Sequence, residues 1–303
     1  MANLKELRGR IKSVAGIAQI TRAMEMVASM KLRKVQNQAL SFHPYTEELR
    51  AMIERLAPRA AAENVSPWFR EKEPKTTGIL LLASDRGLCG SFNANNFKVL
   101  RQIMAEVQAV DPGRKVKFWC YGRKGYTWLV RRGYEVERFF VEPALDKLDF
   151  QAAKIVVDEL SKAFLEGKVD NIRVAYTRFA SAARFEPTNA RFLPVMNRDF
   201  VTVDANRAKQ ESAAKEPMLD WLIEPDPRTL HDLLVPRYLE TVIHGAMLQS
   251  VASEHASRRM AMKSATDAGV RMNKQLKKVY NRARQENITK ELLDIVGGTN
   301  AVQ

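Results

Sequence analysis

The sequence predicts an α/β fold in which long N- and C-terminal helices pair as an antiparallel coiled coil and a smaller α/β domain lies between them in the chain. Three observations predict it. Apolar residues recur at three- and four-residue steps near both ends, short strand-like runs alternate with helical ones in the middle, and nearly all of the net charge lies in the two ends. The 303 residues can bury a sizeable core, and 46% apolar with 28% charged content is ordinary for a globular chain.

The first element spans residues 1–58. Leu4, Leu7, Ile11, Val14, Ile17, Ile20, Met24 and Val27 lay one apolar stripe along a helix, with Lys5, Arg8, Lys12, Arg22 and Lys31 largely off it. Pro44 predicts a bend or a new start near His43, after which the pattern resumes through Tyr45, Leu49, Met52, Ile53 and Leu56 and stops at Pro58. The last element spans residues 228–303. Leu239, Val242, Ala246, Val251, Leu276, Val279, Ala283, Ile288, Leu292 and Ile295 keep a helical period up to Gly297-Gly298, with Gly245 and Gly269 as weak points rather than breaks.

Roughly 55–60 helical residues extend on the order of 80–90 Å. A stripe of that length must be covered, and the other terminal helix is a matched cover that would run antiparallel. Three consecutive three-residue steps from Ile11 to Ile20 depart from a heptad and predict local unwinding. Small residues on both sides (Ala15, Ala18, Ala23, Ala28 and Ser29; Ala252, Ala256, Ala261, Ala265 and Ala268) permit close approach. Met24, Met26, Met30, Met260, Met262 and Met272 fill irregular gaps.

Residues 1–34 carry eight Lys/Arg against two acids, and residues 254–290 carry ten against three, out of a net charge of +14. The rest of the chain is nearly neutral. Basic ends favour an anionic partner: nucleic acid, a phosphate-rich ligand, a membrane surface or an acidic protein.

The central domain is placed at residues 76–202. Thr77–Ala83, Lys115–Tyr121 and Asn171–Phe179 read as strands; Asn93–Val107, Lys124–Arg131 and Phe150–Leu165 read as helices. That alternation predicts a mostly parallel sheet covered on both faces, a Rossmann-like three-layer arrangement. Ala61–Lys75 and Val203–Pro227 are its linkers.

A sheet of this class raises the question of a nucleotide. The loop Ser84-Asp85-Arg86-Gly87-Leu88-Cys89-Gly90-Ser91 follows the first strand but lacks GxGxxG, and no GxxxxGK[ST] occurs. Gly87 and Gly90 read as turn residues, and Gly122-Arg123-Lys124-Gly125 is an equally weak cradle. Glu186, Asp199, Asp204 and Asp220 read as solvated loop acids. The sequence proposes no catalytic constellation, cofactor or metal site. Cys89 and Cys120 read as buried thiols, no apolar h-region opens the chain, and no run approaches the roughly 20 apolar residues of a membrane span.

Five tracts, in order, carry a resemblance over essentially the whole chain: LKELRGRIKSVAGIAQITRAMEMVASMKLRK (Leu4–Lys34), SDRGLCGSFN (Ser84–Asn93), EPDPRTLHDLLVPRYLE (Glu224–Glu240), SEHASRRMAMKSATDAG, and YNRARQENITKELLDIVGG. The sequence resembles the gamma subunits of rotary F-type ATP synthases. The resemblance implies a central shaft inside a ring of three alpha and three beta subunits. Its α/β domain would form a foot beside the epsilon subunit and the membrane c-ring. Chemistry would lie at the alpha/beta interfaces and none in this chain.

By motif, Met24 would lie near the beta-subunit segment that couples rotation to catalysis. Arg258, Gln285, Thr289 and Glu291 would contact the alpha/beta ring, and Lys277, Lys278, Arg282 and Arg284 would face acidic beta-subunit loops. The SDRGLCG loop would be a structural turn in the foot. Ala268-Gly269-Val270-Arg271-Met272 departs from the polar Asn-Gly-type sequence of many relatives, leaving local packing there open. The dithiol insertion of chloroplast relatives has no counterpart, so thiol switching is not expected. A bacterial protein, peripheral on the cytoplasmic side of the plasma membrane, is expected. The rival classes are a nucleic-acid-binding coiled coil, disfavoured by the scarcity of aromatics among the basic residues, and a nucleotide-dependent enzyme on the central sheet.

Overall fold

The computed structural model describes residues 4–61, 67–69, 73–144, 149–181, 184–195, 224 and 226–300. Helix α1 is Leu4–Ala61, followed by a single 3-10 turn at Pro67–Phe69. The central elements are β1 (Thr76–Leu82), α2 (Phe92–Val110), β2 (Lys115–Tyr121), α3 (Arg123–Val130), β3 (Val136–Phe140), α4 (Phe150–Leu165), β4 (Asn171–Phe179) and β5 (Phe185–Leu193). Helix α5 is Pro227–Asn300. The chain divides into two compact units: the described residues through Met30 with those from Arg258 onward, and Lys31–Ser257.

In the central unit the strands form one mixed sheet in the order β3-β2-β1-β4-β5. Pairs β1–β2, β1–β4 and β2–β3 are parallel, and β4–β5 is antiparallel. Alternate residues of β1 point to opposite faces. Ile79 and Leu81 join Phe118, Cys120 and Ala175 under Val99, Leu100, Ile103 and Val107 of α2 and Leu129 of α3. Leu80 and Leu82 join Trp119, Tyr121, Ile172 and Val174 in a second cluster. That cluster also takes in Val156, Val157 and Leu160 of α4, Leu32, Val35, Leu49 and Ile53 of α1, and Leu239, Ile243, Met247 and Val251 of α5. Between Tyr238 and Ser257, α5 is buried nearly all round its circumference, which explains why no single stripe marks it there.

The three expected strands and three expected helices are present within a few residues of their expected ends. Strands β3 and β5 escaped the sequence reading. Each lies at an edge of the sheet, where β3 exposes Glu137 and Arg138, and β5 carries Pro187, Thr188 and Asn189, residues that read as loop. No new start interrupts the helix near His43, and the helix passes Pro58 to reach Ala61. Proline at position 44 deprives only the Leu40 carbonyl of its donor. Leu40 is 72% exposed, so water can serve that carbonyl, while Leu32, Val35, Leu49 and Ile53 hold both flanks in the core. At the other end, Gly297-Gly298 does not stop α5, which continues to Asn300. The linkers fall largely outside the described residues.

Candidate functional site

The terminal unit pairs residues 4–30 of α1 with residues from 258 onward of α5. Arg8 Nη2 donates to Tyr280 Oη at 2.7 Å, Asn273 Nδ2 donates to the Ile11 carbonyl at 3.2 Å, and Thr21 Oγ1 lies 2.7 Å from Thr266 Oγ1. A Cβ at Gly269 would stand 3.1 Å from Ala18 Cβ. Residue numbers rise along one helix as they fall along the other, so the pair is antiparallel.

The less exposed positions on α1 include Leu4, Leu7, Ile11, Val14, Ala18, Thr21, Glu25 and Ala28; on α5 they include Met262, Thr266, Gly269, Asn273, Leu276, Tyr280 and Ala283. Both sets step by three and four, as in a heptad seam, with Gly16, Met24 and Ser29 on α1 and Ala261 and Ala265 on α5 half-buried beside it. This corrects the expected stripe at Ile17, Ile20 and Val27. Beyond Val14 the seam leaves the large apolar residues and runs through small and polar ones. Ile17, Ile20 and Val27 are 57%, 61% and 47% exposed, and Met26 and Met30 are exposed as well. Val270, Met272 and Val279 are exposed in the same way on α5. The helices approach on alanine, glycine and threonine and present their bulk outward.

Of the residues singled out by resemblance, Met24 and Arg258 are half-buried, whereas Lys277, Lys278, Arg282, Arg284, Gln285, Thr289 and Glu291 are exposed on α5. Arg282 Nε is 3.0 Å from Glu286 Oε1, one turn on. From Arg284 through Leu293 every residue is exposed, including Ile288, Leu292 and Leu293. The side chains that fix the register, Arg8, Thr21, Thr266, Asn273 and Tyr280, were not anticipated. Thr21 carried a signal as a polar residue in step with Leu7 and Ile11, and Thr266, Asn273 and Tyr280 as polar residues in step with Leu276; Arg8, off the stripe, carried none.

The central unit answers the nucleotide question. In sheets of this class ligands bind at the carboxyl ends of the strands, where the strand order reverses; here that is the crevice between β1 and β4. Asn96 Nδ2 donates to the Leu82 carbonyl at 2.9 Å, and Thr177 Oγ1 donates to Asn96 Oδ1 at 2.5 Å. From α5, Ser253 Oγ donates to the Thr177 carbonyl at 3.3 Å and Ser257 Oγ to the Cys89 carbonyl at 2.6 Å. Asn93 bridges the loop by accepting from Ser84 N–H at 3.1 Å and donating to Ser84 Oγ at 2.6 Å.

At the start of α3, where an anion could sit, the Asp85 carboxylate accepts the Arg123 N–H at 3.1 Å. Gly122, at φ +99°, lies so close to β1 that a Cβ there would stand 2.0 Å from the Ala83 carbonyl oxygen. Gly125 is similarly tight: its Cβ would meet Cys120 Sγ at 2.7 Å. These glycines serve packing, and the crevice is filled by the protein's own hydrogen bonds. Burial pushes the Cys120 thiol well above its ordinary range, with the Asp85 charge adding to it. Among the described residues no group of three or more His, Cys, Asp or Glu is placed to hold a metal, and no helix is long and apolar enough to cross a membrane.

The chain matches the protein-family model "ATP synthase" over residues 3–302. It is 38% identical over 306 residues to the ATP synthase gamma chain of Chloroherpeton thalassium, covering 100% of this chain and 99% of that one. The chain belongs to the ATP synthase gamma-chain family. Another family relative, the gamma chain of Janthinobacterium sp., is 38% identical over the full length of both chains. Solved structures repeat the fold of the gamma-chain family. A chain of the Euglena gracilis mitochondrial ATP synthase, solved with OSCP, F1 and the c-ring, has a TM-score of 0.66 at 17% identity and covers 99% of this chain and 94% of its own. One from the Tetrahymena thermophila mitochondrial central stalk and c-ring has a TM-score of 0.57 at 21% identity, covering 81% and 99%.

Proposed function

We propose that this chain is the central rotating shaft of a proton-translocating F-type ATP synthase, a subunit without catalytic groups that couples c-ring rotation to ATP synthesis or hydrolysis at the beta subunits. The observation that carries this reading is the inverted packing of the terminal pair. Small and polar residues fill the seam while Ile17, Ile20, Val27 and Met30 stay uncovered. A contiguous exposed apolar face marks a surface meant for another chain. Membership in the gamma-chain family, and the rotor and central-stalk context of the solved chains, support that choice of partner.

In this reading the terminal pair turns within a hexamer of three alpha and three beta subunits. Met24 works against the beta-subunit coupling segment; Arg258, Gln285, Thr289 and Glu291 hold particular dwells; Lys277, Lys278, Arg282 and Arg284 meet acidic loops of beta. Residues 1–58 and 228–303 form the shaft and residues 76–202 the foot. The foot is a Rossmann-like three-layer domain: its order β3-β2-β1-β4 is that of doubly wound sheets, with α2 and α3 on one face and α4 on the other. It contacts the epsilon subunit and the c-ring and binds no nucleic acid. The complex sits at a bacterial plasma membrane, with this chain peripheral on the cytoplasmic side.

Mixing the purified chain with alpha and beta subunits and weighing the native product tests the proposal. One copy should enter each hexamer; a folded chain that stays outside would overturn it.

A further inference from the structure

Three helices of the central unit meet at His244. Its imidazole is T-shaped to Phe42 of α1, with ring centroids 4.7 Å apart, and to Phe150, the first residue of α4, at 5.5 Å. The two phenyl rings are 5.7 Å from each other. His244 is 7% exposed, and its Nδ1 is buried with no hydrogen-bond partner among the described residues. A neutral imidazole tolerates this site, since one unmade hydrogen bond costs about 1–3 kcal/mol. An imidazolium does not, because its Nδ1–H must surrender hydration with no acceptor for it among the described residues.

The described charges around the junction do not rescue it. Asp149 caps α4, accepting the Ala152 N–H on Oδ1 at 2.9 Å. Burial holds the His244 imidazole below its ordinary value, and the opposing pull of Asp149 only partly offsets that. On α5, one turn back, the buried Glu240 receives Arg237 Nη1 at 3.0 Å. On α1, the neighbours His43 and Tyr45 are exposed, and Glu47 stands 4.0 Å from Arg50.

We propose that His244 is a proton-operated latch joining α1, α4 and α5: neutral, it closes the aromatic junction; protonated, it leaves the two phenyl rings for water, and the Phe42 segment and the first turn of α4 open with it. The open state binds the proton at the ordinary histidine value of about 6.5 and the closed state only below it. The latch is therefore fully closed above about 6.5. As pH falls from there toward the closed-state value, its closed-to-open ratio drops about tenfold per unit. The junction would behave this way whatever the terminal helices turn against.

Amide exchange on the full chain, corrected for intrinsic rate and compared at about pH 7.5 and pH 5.5, tests the latch. Peptides containing Phe42 and Phe150 should lose protection by up to about tenfold at the lower pH, while β1 peptides keep theirs. His244→Phe, which keeps an aromatic ring without a titratable nitrogen, should abolish the difference, and His244→Leu should do the same. Equal protection at both pH values in the native chain would overturn the proposal, as would the same loss in either variant. Should both variants fail to fold, the imidazole resonances of the native chain decide: a midpoint below that of a free histidine supports the latch, and one at or above it refutes it.

Discussion

Thr21 and Thr266 meet across the seam of the terminal pair with their hydroxyl oxygens 2.7 Å apart, and each also reaches a carbonyl of its own helix: Ala18 at 3.1 Å for Thr21, Met262 at 2.9 Å for Thr266. Each hydroxyl has one proton, so at any moment one donates across the seam and the other back into its own helix. Thr21→Val or Thr266→Val should each cost about 1 kcal/mol. The double variant should cost clearly less than the two together. Thermal unfolding of the four proteins measures the cycle; additive losses would mean that the hydroxyls act independently.

Glycine positions on the same chain should respond with opposite signs. Gly122→Ala places a Cβ 2.0 Å from the Ala83 oxygen on a left-handed backbone, and a loss of about 4 kcal/mol or more, seen as failure to accumulate folded protein, is expected. Gly245 lies inside α5 with nothing within 4 Å of its would-be Cβ. Gly245→Ala should therefore raise the unfolding midpoint, gaining about 0.5–1 kcal/mol.

Ser257 donates to the Cys89 carbonyl from a buried position, and Cys89 itself is buried. Ser257→Ala removes one of the two donors to that carbonyl, which keeps the Phe92 N–H at 3.2 Å, at a cost of about 0.5–1.5 kcal/mol. The loop should open more often, so labelling of Cys89 by a thiol reagent should accelerate several-fold relative to the native chain while Cys120 stays unreactive. An unchanged Cys89 rate would show that other contacts hold the loop.

Met24→Lys would place a cation on a half-buried position of an already basic surface. In an assembled complex, proton-driven synthesis should fall while assembly and ATP hydrolysis persist, as expected if the new ammonium pairs with a beta-subunit carboxylate and delays release. Normal coupling in the variant complex would remove Met24 from the contact.

The core of the central unit could be read from the sequence because its strands are buried on both faces, and runs such as Ile79-Leu80-Leu81-Leu82 leave little choice. The edge strands could not, because what keeps an edge from aggregating, charge in β3 and proline in β5, is also what makes a strand look like a loop. The terminal pair was legible in kind and misleading in detail. Periodicity counts large apolar residues, and here Ile17, Ile20 and Val27 serve the outside, while Ala18, Thr21 and Ala28 serve the seam. Two adjacent faces of one helix, each with its own claim on apolar residues, blend into a single blurred stripe with a three-residue step. Two of the hydrogen bonds in the crevice between β1 and β4 come from Ser253 and Ser257, far along the chain from their acceptors at Thr177 and Cys89. No local pattern announces such a meeting.

From Arg284 to Leu293, α5 is exposed on every side, while nearer Thr266 it shares its flank with α1. Spun about its own axis, a lone helix shows its surroundings much the same profile at every angle, like the journal of a crank. A two-helix stretch shows a broad side, then a narrow one, then broad again, like the throw. In the proposed rotary role, angular information is then written into the paired segment and erased along the single one, so substitutions around Ile20 and Thr266 should alter timing, and those around Ile288 and Leu292 should alter drag.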